Sequence, residues 1–385
     1  MERTRWQIGP LRIFPALELK DVGYDGNVYY QREDEEPISD FTTTISPEVK
    51  VYLLFRNSLI LSLTENPEYI YYLEQKRERR WNNTFAADFR LLFLNRFVIS
   101  GGFSNLDRRW RASSEFDVRA NELRKSLEGS LFYETARRTT FGFSVFSEKI
   151  SYEDIVSPEE EIYLSRDLNR EENSVNVEFY YRIYSEASIF IKGGYTEYNF
   201  EYPESQWRDS YSYQMYSGLR FPLLAKIRGT FSLGYKKHVP LSEEKKGFSG
   251  LIGNTRLEFR LGRFNFRLKY SRDNQFSYWT ESIFFIEDNY GTGVSFYLFK
   301  FLRLDGDYSY GIADYPETTT VIYPDGSVEE IKRKDIYTTY SLGFVVRIIE
   351  NTGIGLKVNF WERDSNYYLK DRNRVSVGAY VTYEF

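Results

Sequence analysis

The chain contains few of the residue types that enzymes use for covalent or metal-dependent chemistry. It has one histidine, His238, and no cysteine, which excludes a thiolate nucleophile, a disulfide framework and a multi-histidine metal site. Ser242, Glu243 and Glu244 follow closely, and a histidine with such partners could act as the base of a hydrolase. An ordinary loop histidine accounts for the same residues. The sequence therefore predicts no enzymatic activity, no cofactor and no metal site.

A second set of residues is basic and recurs at alternate positions, which places its members on one face of extended segments. The predicted inward-facing residues are Lys226, Arg228, Arg256, Glu258, Arg260, Arg263, Arg267 and Lys269, with Asp305 and Asp307 on a later segment. A turn at Leu261–Gly262 would place Arg256 opposite Arg267. Such a wall favours anions in pores. The alternative is that these charges pair with acids across strands or with loops folded inward, and the sequence leaves both possibilities open.

Acidic runs occur between the extended segments, at Glu33-Asp34-Glu35-Glu36, Glu159-Glu160-Glu161 and Glu171-Glu172. They lack the spacing of an EF-hand, so solvated loop charge is the favoured interpretation over a divalent-cation site. The chain also lacks a phosphate-binding loop, a dinucleotide fingerprint and a nucleic-acid-binding module. We therefore expect no nucleic-acid partner.

The elements that must position these side chains have a period of two. In Arg374–Phe385 the odd positions are all apolar, whereas the even positions are mostly polar or small. Eighteen such segments can be counted, joined by eight short turns that alternate with nine long polar loops. This layout predicts an all-β, transmembrane, up-and-down antiparallel β-barrel of about 18 strands, with short periplasmic turns and long extracellular loops. A large soluble all-β protein is the alternative.

Composition agrees with a barrel. The chain has 385 residues with 34 Tyr and 31 Phe, an aromatic content that suits a lipid-facing band with interfacial aromatic girdles. No run of about 18 apolar residues is present, so no transmembrane helix is predicted. A net charge of -5 gives no general attraction to nucleic acid.

Two stretches resemble known outer-membrane proteins. The alternating residues Val381, Tyr383 and Phe385 resemble the C-terminal signal by which the barrel insertion machinery recognises its substrates. Near the other end, Ile8–Leu17 and Tyr24–Tyr29, followed by Asp40-Phe41 and Ile45-Ser46-Pro47, resemble the first hairpin of the β-barrel porin 2 family. That resemblance implies the bacterial outer membrane, with lipid and lipopolysaccharide around the barrel. It also implies a link to polysaccharide or capsule export components.

The domain organisation follows from these observations. Residues 1–10 are predicted as a short periplasmic segment and residues 11–385 as one barrel. No signal peptide is visible, and we expect that it was removed or is missing from the gene model. Because residues 1–10 alone precede the first predicted strand, we expect no plug domain. In the loop predicted at 312–335, Tyr323-Pro324-Asp325-Gly326-Ser327 predicts a hairpin that either projects outward or bends over the mouth.

The predicted function is a porin-like channel for small solutes or for export of polysaccharide. A surface barrel with a plugged lumen is the alternative, and an enzyme centred on His238 is a weaker one.

Overall fold

The computed structural model describes residues 6–56, 58–111, 115, 119–135, 138–156, 161–184, 187–221, 226–278, 282–323, 325–349, 351–368 and 370–384. Phe385, the predicted turn at Pro222–Ala225 and the loop residues Glu159 and Glu160 lie outside this part of the chain. Within it, no helix has both the length and the apolar character needed to cross a membrane.

Extended strands dominate the structure. They are β1 (Trp6–Ile8), β2 (Leu11–Asp25), β3 (Asp40–Phe55), β4 (Leu59–Tyr72), β5 (Arg80–Phe93), β6 (Phe97–Trp110), β7 (Ala120–Glu134), β8 (Thr139–Tyr152), β9 (Ile155–Val156), β10 (Glu161–Ile162), β11 (Arg170–Tyr184), β12 (Ala187–Phe200), β13 (Ser210–Phe221), β14 (Ile227–Pro240), β15 (Phe248–Leu261), β16 (Phe264–Phe276), β17 (Phe284–Tyr297), β18 (Leu302–Ile322), β19 (Val328–Ile349), β20 (Thr352–Ser365) and β21 (Arg372–Glu384). The helical elements are α1 (Leu164–Leu168) and two 3₁₀ turns, Lys76–Glu78 and Pro203–Arg208.

Eighteen of these strands, β2–β8 and β11–β21, form one closed antiparallel barrel. Each strand pairs with its neighbour in sequence, and β2 pairs with β21 from Ala16↔Glu384 to Asp25↔Ser376. The strand β1 pairs with the start of β2, Trp6 opposite Ile13, at the rim where β21 has ended. The predicted 18-stranded up-and-down barrel is confirmed.

The two faces of the wall differ as the alternation predicts. Phe231, Leu233, Phe266 and Leu268 point outward with 39–50% of their surface exposed. Val377 and Val381, also predicted to face outward, lie on β21 beside outward-facing residues of β20 and are half-buried. The inward face carries the polar residues. Apolar side chains on the outside and polar ones inside suit a barrel surrounded by lipid.

The hairpin of β15 and β16 differs in register from the prediction. Its two-residue turn is Gly262-Arg263, with Leu261 opposite Phe264. Gly262 takes a left-handed conformation, φ +58°, which glycine adopts without strain. The turn therefore lies one residue later than predicted, and each opposing pair is displaced by two residues.

The longest strands are β18 and β19, where the sequence predicted a loop at 312–335. The two strands continue to Ile322 and resume at Val328, and the N–H of Gly326 donates to the carbonyl of Tyr323 at 2.9 Å. On one face of this extension Thr319 and Val321 are buried, whereas Glu329 opposite Val321 is exposed. The strands therefore extend into the region predicted as a loop, and the direction of the hairpin relative to the mouth stays a prediction.

The directions in which the side chains of β13 point give a test of the barrel fold. Met215, in the middle of the strand, points outward and is 58% exposed, whereas Gln214 points inward. We expect Met215→Arg to lower the free energy of unfolding by about 2–4 kcal/mol, because the charge would enter the hydrocarbon. The control Gln214→Arg should cost about 0.5 kcal/mol, since that charge would lie in the lumen. Urea titration in lipid vesicles measures both, and equal costs would contradict the assignment of faces.

Candidate functional site

The lumen contains most, but not all, of the charged residues that the sequence places there. Arg263 is an exception, because it lies in the turn at the barrel rim and donates to the carbonyl of Leu298 at 3.2 Å. Lys226 also lies at this rim, just before β14, and is exposed. The other predicted residues are on the inward face of β14, β15, β16 and β18.

Several of these inward charges form ion pairs. Arg228 and Glu258 are directly opposite on β14 and β15 and are bonded to each other. Arg267 is opposite Glu258, not opposite Arg256 as predicted, because the turn is displaced. Its guanidinium reaches over β17 to Asp307, with Nη2 2.7 Å from Oδ1.

Gly293 makes this longer reach possible. It lies between Arg267 and Asp307 on the intervening strand β17. A Cβ at Gly293 would lie 2.3 Å from Asp307 Oδ1 and 2.8 Å from Arg267 Nη2. The Arg267–Asp307 ion pair therefore occupies the space that a side chain at position 293 would fill. Asp305 is also engaged, since it accepts from Ser295 Oγ at 2.6 Å and from Arg303 Nε at 2.8 Å.

Of the cations that the sequence predicted to face inward, three have no ion-pair partner in the described part of the chain: Arg256, Arg260 and Lys269. All three are exposed to the lumen. Arg256 is directly opposite Lys269, so two like charges lie side by side on β15 and β16. Such a pair is unfavourable in the absence of counter-ions. This part of the wall therefore attracts anions.

The opposite wall of the lumen carries carboxylates that form no ion pair with a described residue. In the ring of 18 strands β5 is nine strands from β16, and it presents Asp88 toward the lumen. A Cβ at Gly102 on β6 would lie 2.4 Å from Asp88 Oδ1 and 3.2 Å from Glu128 Oε1, so these carboxylates converge over Gly102. Neither has an ion-pair partner in the described part of the chain. Sequence reasoning missed Asp88, whose alternation with outward Phe89 would have shown its direction.

Two adjoining cavities lie against the wall formed by β16–β21. Their volumes are about 390 Å³ and about 320 Å³, and they share Arg267, Asp307, Ser341 and Lys357. Most of their lining consists of charged side chains, hydroxyls and glycines. The wall thus offers a polar recess within a wider lumen.

The long-loop end of the barrel is spanned by side-chain contacts centred on Asp25. This carboxylate on β2 is fully buried and accepts two hydrogen bonds of 2.7 Å from Arg374 on β21. It also accepts a 3.1 Å hydrogen bond from Arg119, next to β7. Residue 119 precedes β7, four to five strands away from β2, so the contact crosses the mouth. None of these residues was predicted as functional, because their proximity depends on closure of the barrel.

A second contact in the mouth joins the β6–β7 loop to the β16–β17 loop. Glu115 is fully buried and accepts hydrogen bonds from the Ser277 hydroxyl and, at 3.0 Å, from the Tyr278 N–H. Burial raises the pKa of the Glu115 carboxyl, although Arg333 and these hydrogen bonds act against the shift. Arg208 donates to the Ser277 carbonyl, and burial lowers the pKa of Arg208 to about 10.

An apolar cluster lies beside these contacts. Its buried members are Ala120, Ile150, Tyr152, Leu164 and Leu168, with Phe276 and Tyr278 packed against them. They come from β7, β8, α1 and the end of β16. Because elements from separate strands share this core, the mouth is packed more tightly than the lumen beneath it.

His238 is part of the same aromatic packing. Its ring is 1% exposed and lies 5.4 Å from Tyr198, 5.7 Å from Phe276 and 5.8 Å from Phe284, measured between centroids. Neither ring nitrogen has a hydrogen-bond partner in the described part of the chain. The arrangement with Ser242 or a nearby glutamate that a hydrolase would need is therefore not formed. No cluster of potential metal ligands occurs among the described residues.

The remaining predicted residues lie at the closing strand. Val381 and Tyr383 are on β21, opposite Ile354 and Thr352 of β20, while Phe385 is outside the described residues. Their role as an insertion signal stays a prediction.

Comparison with known proteins agrees with this architecture. The family model described as Putative beta-barrel porin 2 matches residues 6–385. OpdK from Pseudomonas aeruginosa is similar in structure, with 12% identity, a TM-score of 0.51, and 97% of this chain and 98% of that chain covered. The siderophore receptor PirA from Pseudomonas aeruginosa has 9% identity and a TM-score of 0.50, with 99% and 81% covered. No curated protein matches the chain.

Among the charged residues, Asp25 should be the one whose substitution lowers the free energy of unfolding most. Asp25→Asn leaves half-buried Arg374 without its carboxylate and removes one of the two carboxylates beside Arg119, the other being Glu78. We therefore expect the free energy of unfolding to fall by about 3–5 kcal/mol. The control Asp307→Asn removes an acid whose side chain is 45% exposed, and it should cost less than about 1 kcal/mol. Denaturant titration of both variants checks this, and similar losses would show that Asp25 is not a central contact.

Proposed function

The chain belongs to the beta-barrel porin 2 family, and from this premise we propose that it is an outer-membrane channel for small hydrophilic solutes with a modest preference for anions. The long-loop end faces the outside and the short turns face the periplasm, as the alternation of connections indicates. The observation that carries the proposal is the lumen wall with Arg256, Arg260 and Lys269, which have no ion-pair partner among the described residues.

The preference follows from the field inside the lumen. Cations on adjacent strands add their potentials, and a low-dielectric wall concentrates counter-ions beside them. Asp88 and Glu128 on the opposite side reduce the net preference but do not cancel it locally, because 0.1 M salt, with a Debye length of about 10 Å, screens their field across the aqueous lumen of an 18-stranded barrel. Anions therefore follow the β15–β16 wall, while cations follow the wall near β5.

The selectivity test removes the side-by-side cations. We expect the double variant Arg256→Gln, Lys269→Gln to lower the anion-to-cation permeability ratio about twofold at 0.1 M salt. The reversal potential in a planar bilayer measures it, and the difference should vanish near 1 M salt, where the Debye length is about 3 Å. The control Lys125→Gln changes an exposed residue on the outward face of β7. A cation-selective wild-type channel, or an unchanged ratio in the double variant, would contradict the proposal.

A second candidate function is a surface barrel whose lumen stays closed. The observation in its favour is the mouth, where Glu115 and Asp25 tie loops across the opening. Export of a polysaccharide, which the family resemblance suggested, requires the same contacts to open more widely and requires partner components. All three functions therefore depend on whether the mouth contacts are released.

A variant that breaks one contact in the mouth distinguishes between these candidate functions. Glu115→Ala removes the acceptor that holds Ser277 and Tyr278, so we expect a higher single-channel conductance than in the wild type if solutes pass through the mouth. The control Glu243→Ala changes an exposed loop residue and should leave the conductance unchanged. If wild type and Glu115→Ala both fail to conduct in planar bilayers, the closed barrel is the better description.

A further inference from the structure

The smaller of the two wall cavities holds two lysines that form no ion pair with a described residue. Lys269 on β16 and Lys357 on β20 both line this cavity of about 320 Å³. Both are exposed, and neither has an ion-pair partner in the described part of the chain. Asp21 is close enough to interact electrostatically with Lys357 but forms no ion pair with it. An ammonium group has three donors, so this recess is ready to receive an anionic group.

The part of the cavity wall between the two lysines, which we call the floor, is polar and carries mostly small side chains. Gly291 and Gly293 on β17 carry no side chain, and the Arg267–Asp307 ion pair lies over Gly293. Ser309 and Thr339 follow on β18 and β19. The hydroxyls of Ser309 and Thr339 form no hydrogen bond within the described part of the chain, so they can both donate and accept. The floor therefore spans three neighbouring strands, β17 to β19.

The carboxylate of Asp307 adds a hydrogen-bond acceptor to the donors in this recess. Asp307 uses Oδ1 to bind Arg267, while its Oδ2 receives no hydrogen bond from a described residue. A carboxylate oxygen accepts but does not donate, so it selects a ligand that carries hydroxyl donors. The recess thus combines cationic donors at its two sides with hydroxyls and one acidic acceptor between them.

We propose that this recess, which we name the lysine trough (Lys269, Gly291, Gly293, Asp307, Ser309, Thr339 and Lys357), binds small organic acids that carry several hydroxyl groups, as sugar acids do. The carboxylate of the ligand contacts one lysine, and the ammonium group of the other lysine donates to a ligand hydroxyl. The hydroxyls of the ligand also donate to Asp307 and exchange hydrogen bonds with Ser309 and Thr339. This rests on the proposed channel function and specifies its solute class.

Other solute classes match the trough less well. An aliphatic acid would pair with a lysine but leave Asp307 and the floor hydroxyls without partners, which costs binding free energy. A neutral polyol would satisfy the floor but leave both ammonium groups without a counter-charge. The ligand that satisfies every group therefore needs both a carboxylate and hydroxyls.

The test compares three probes of similar length: gluconate, which has both features, hexanoate, which has only the carboxylate, and sorbitol, which has only hydroxyls. Binding to the barrel in nanodiscs is measured by saturation-transfer NMR and calorimetry, neither of which requires conduction. We expect gluconate to bind at least about tenfold more tightly than either of the others. Equal binding of hexanoate would overturn the role of the floor, and equal binding of sorbitol would overturn the role of the lysines.

Variants locate the binding. Lys269→Gln and Lys357→Gln should each weaken gluconate binding about tenfold, because each removes a charge-assisted contact. The control Arg260→Gln removes one lumen cation that lines neither cavity, and it should change binding less than twofold. An equal loss in the control would show a diffuse field instead of a site. Gluconate binding without conductance would refute the channel and leave the trough intact.

Discussion

Closure of the sheet between β2 and β21 is the interaction on which the other features depend. In lipid no water is available to bond the N–H and C=O groups of an edge strand, so a membrane-spanning sheet has to close on itself. The ladder from Ala16↔Glu384 to Asp25↔Ser376 provides this closure, and β1 covers the edge that remains at the rim. Once the ring is closed, every second side chain faces the lumen, and the polar residues gather there.

Glycines then decide which lumen charges stay unpaired. Gly293 leaves room for Arg267 to reach Asp307 across an intervening strand, so both charges are satisfied. Gly102 has the opposite consequence, because two carboxylates converge over it without a cation. Among the described residues the lumen thus carries unpaired cations on β15 and β16 and unpaired carboxylates on β5 and β7.

The mouth contacts lie on the closing seam. Asp25 belongs to the first barrel strand and Arg374 to the last, and Arg119 joins them from a loop four to five strands away. The same carboxylate therefore supports closure of the barrel and the position of a loop in the mouth. This arrangement couples opening of the mouth to a buried charge cluster, whereas the Glu115 contact can be broken without disturbing the seam.

The sequence alone determined the barrel, its strand number and the face of each inward residue on β14–β16, because a period of two is visible in every segment and short turns alternate with long loops. It also carried the family resemblance in the first hairpin. The tertiary structure decided which charged side chains lie opposite each other across the strands. A turn displaced by one residue moves pairing by two positions, which preserves the face of each side chain but changes its neighbour, so Arg256 lies opposite Lys269 and Glu258 faces Arg267. The contact of Asp25 with Arg374 spans 349 residues and exists only because the ring closes, a constraint that no local pattern records.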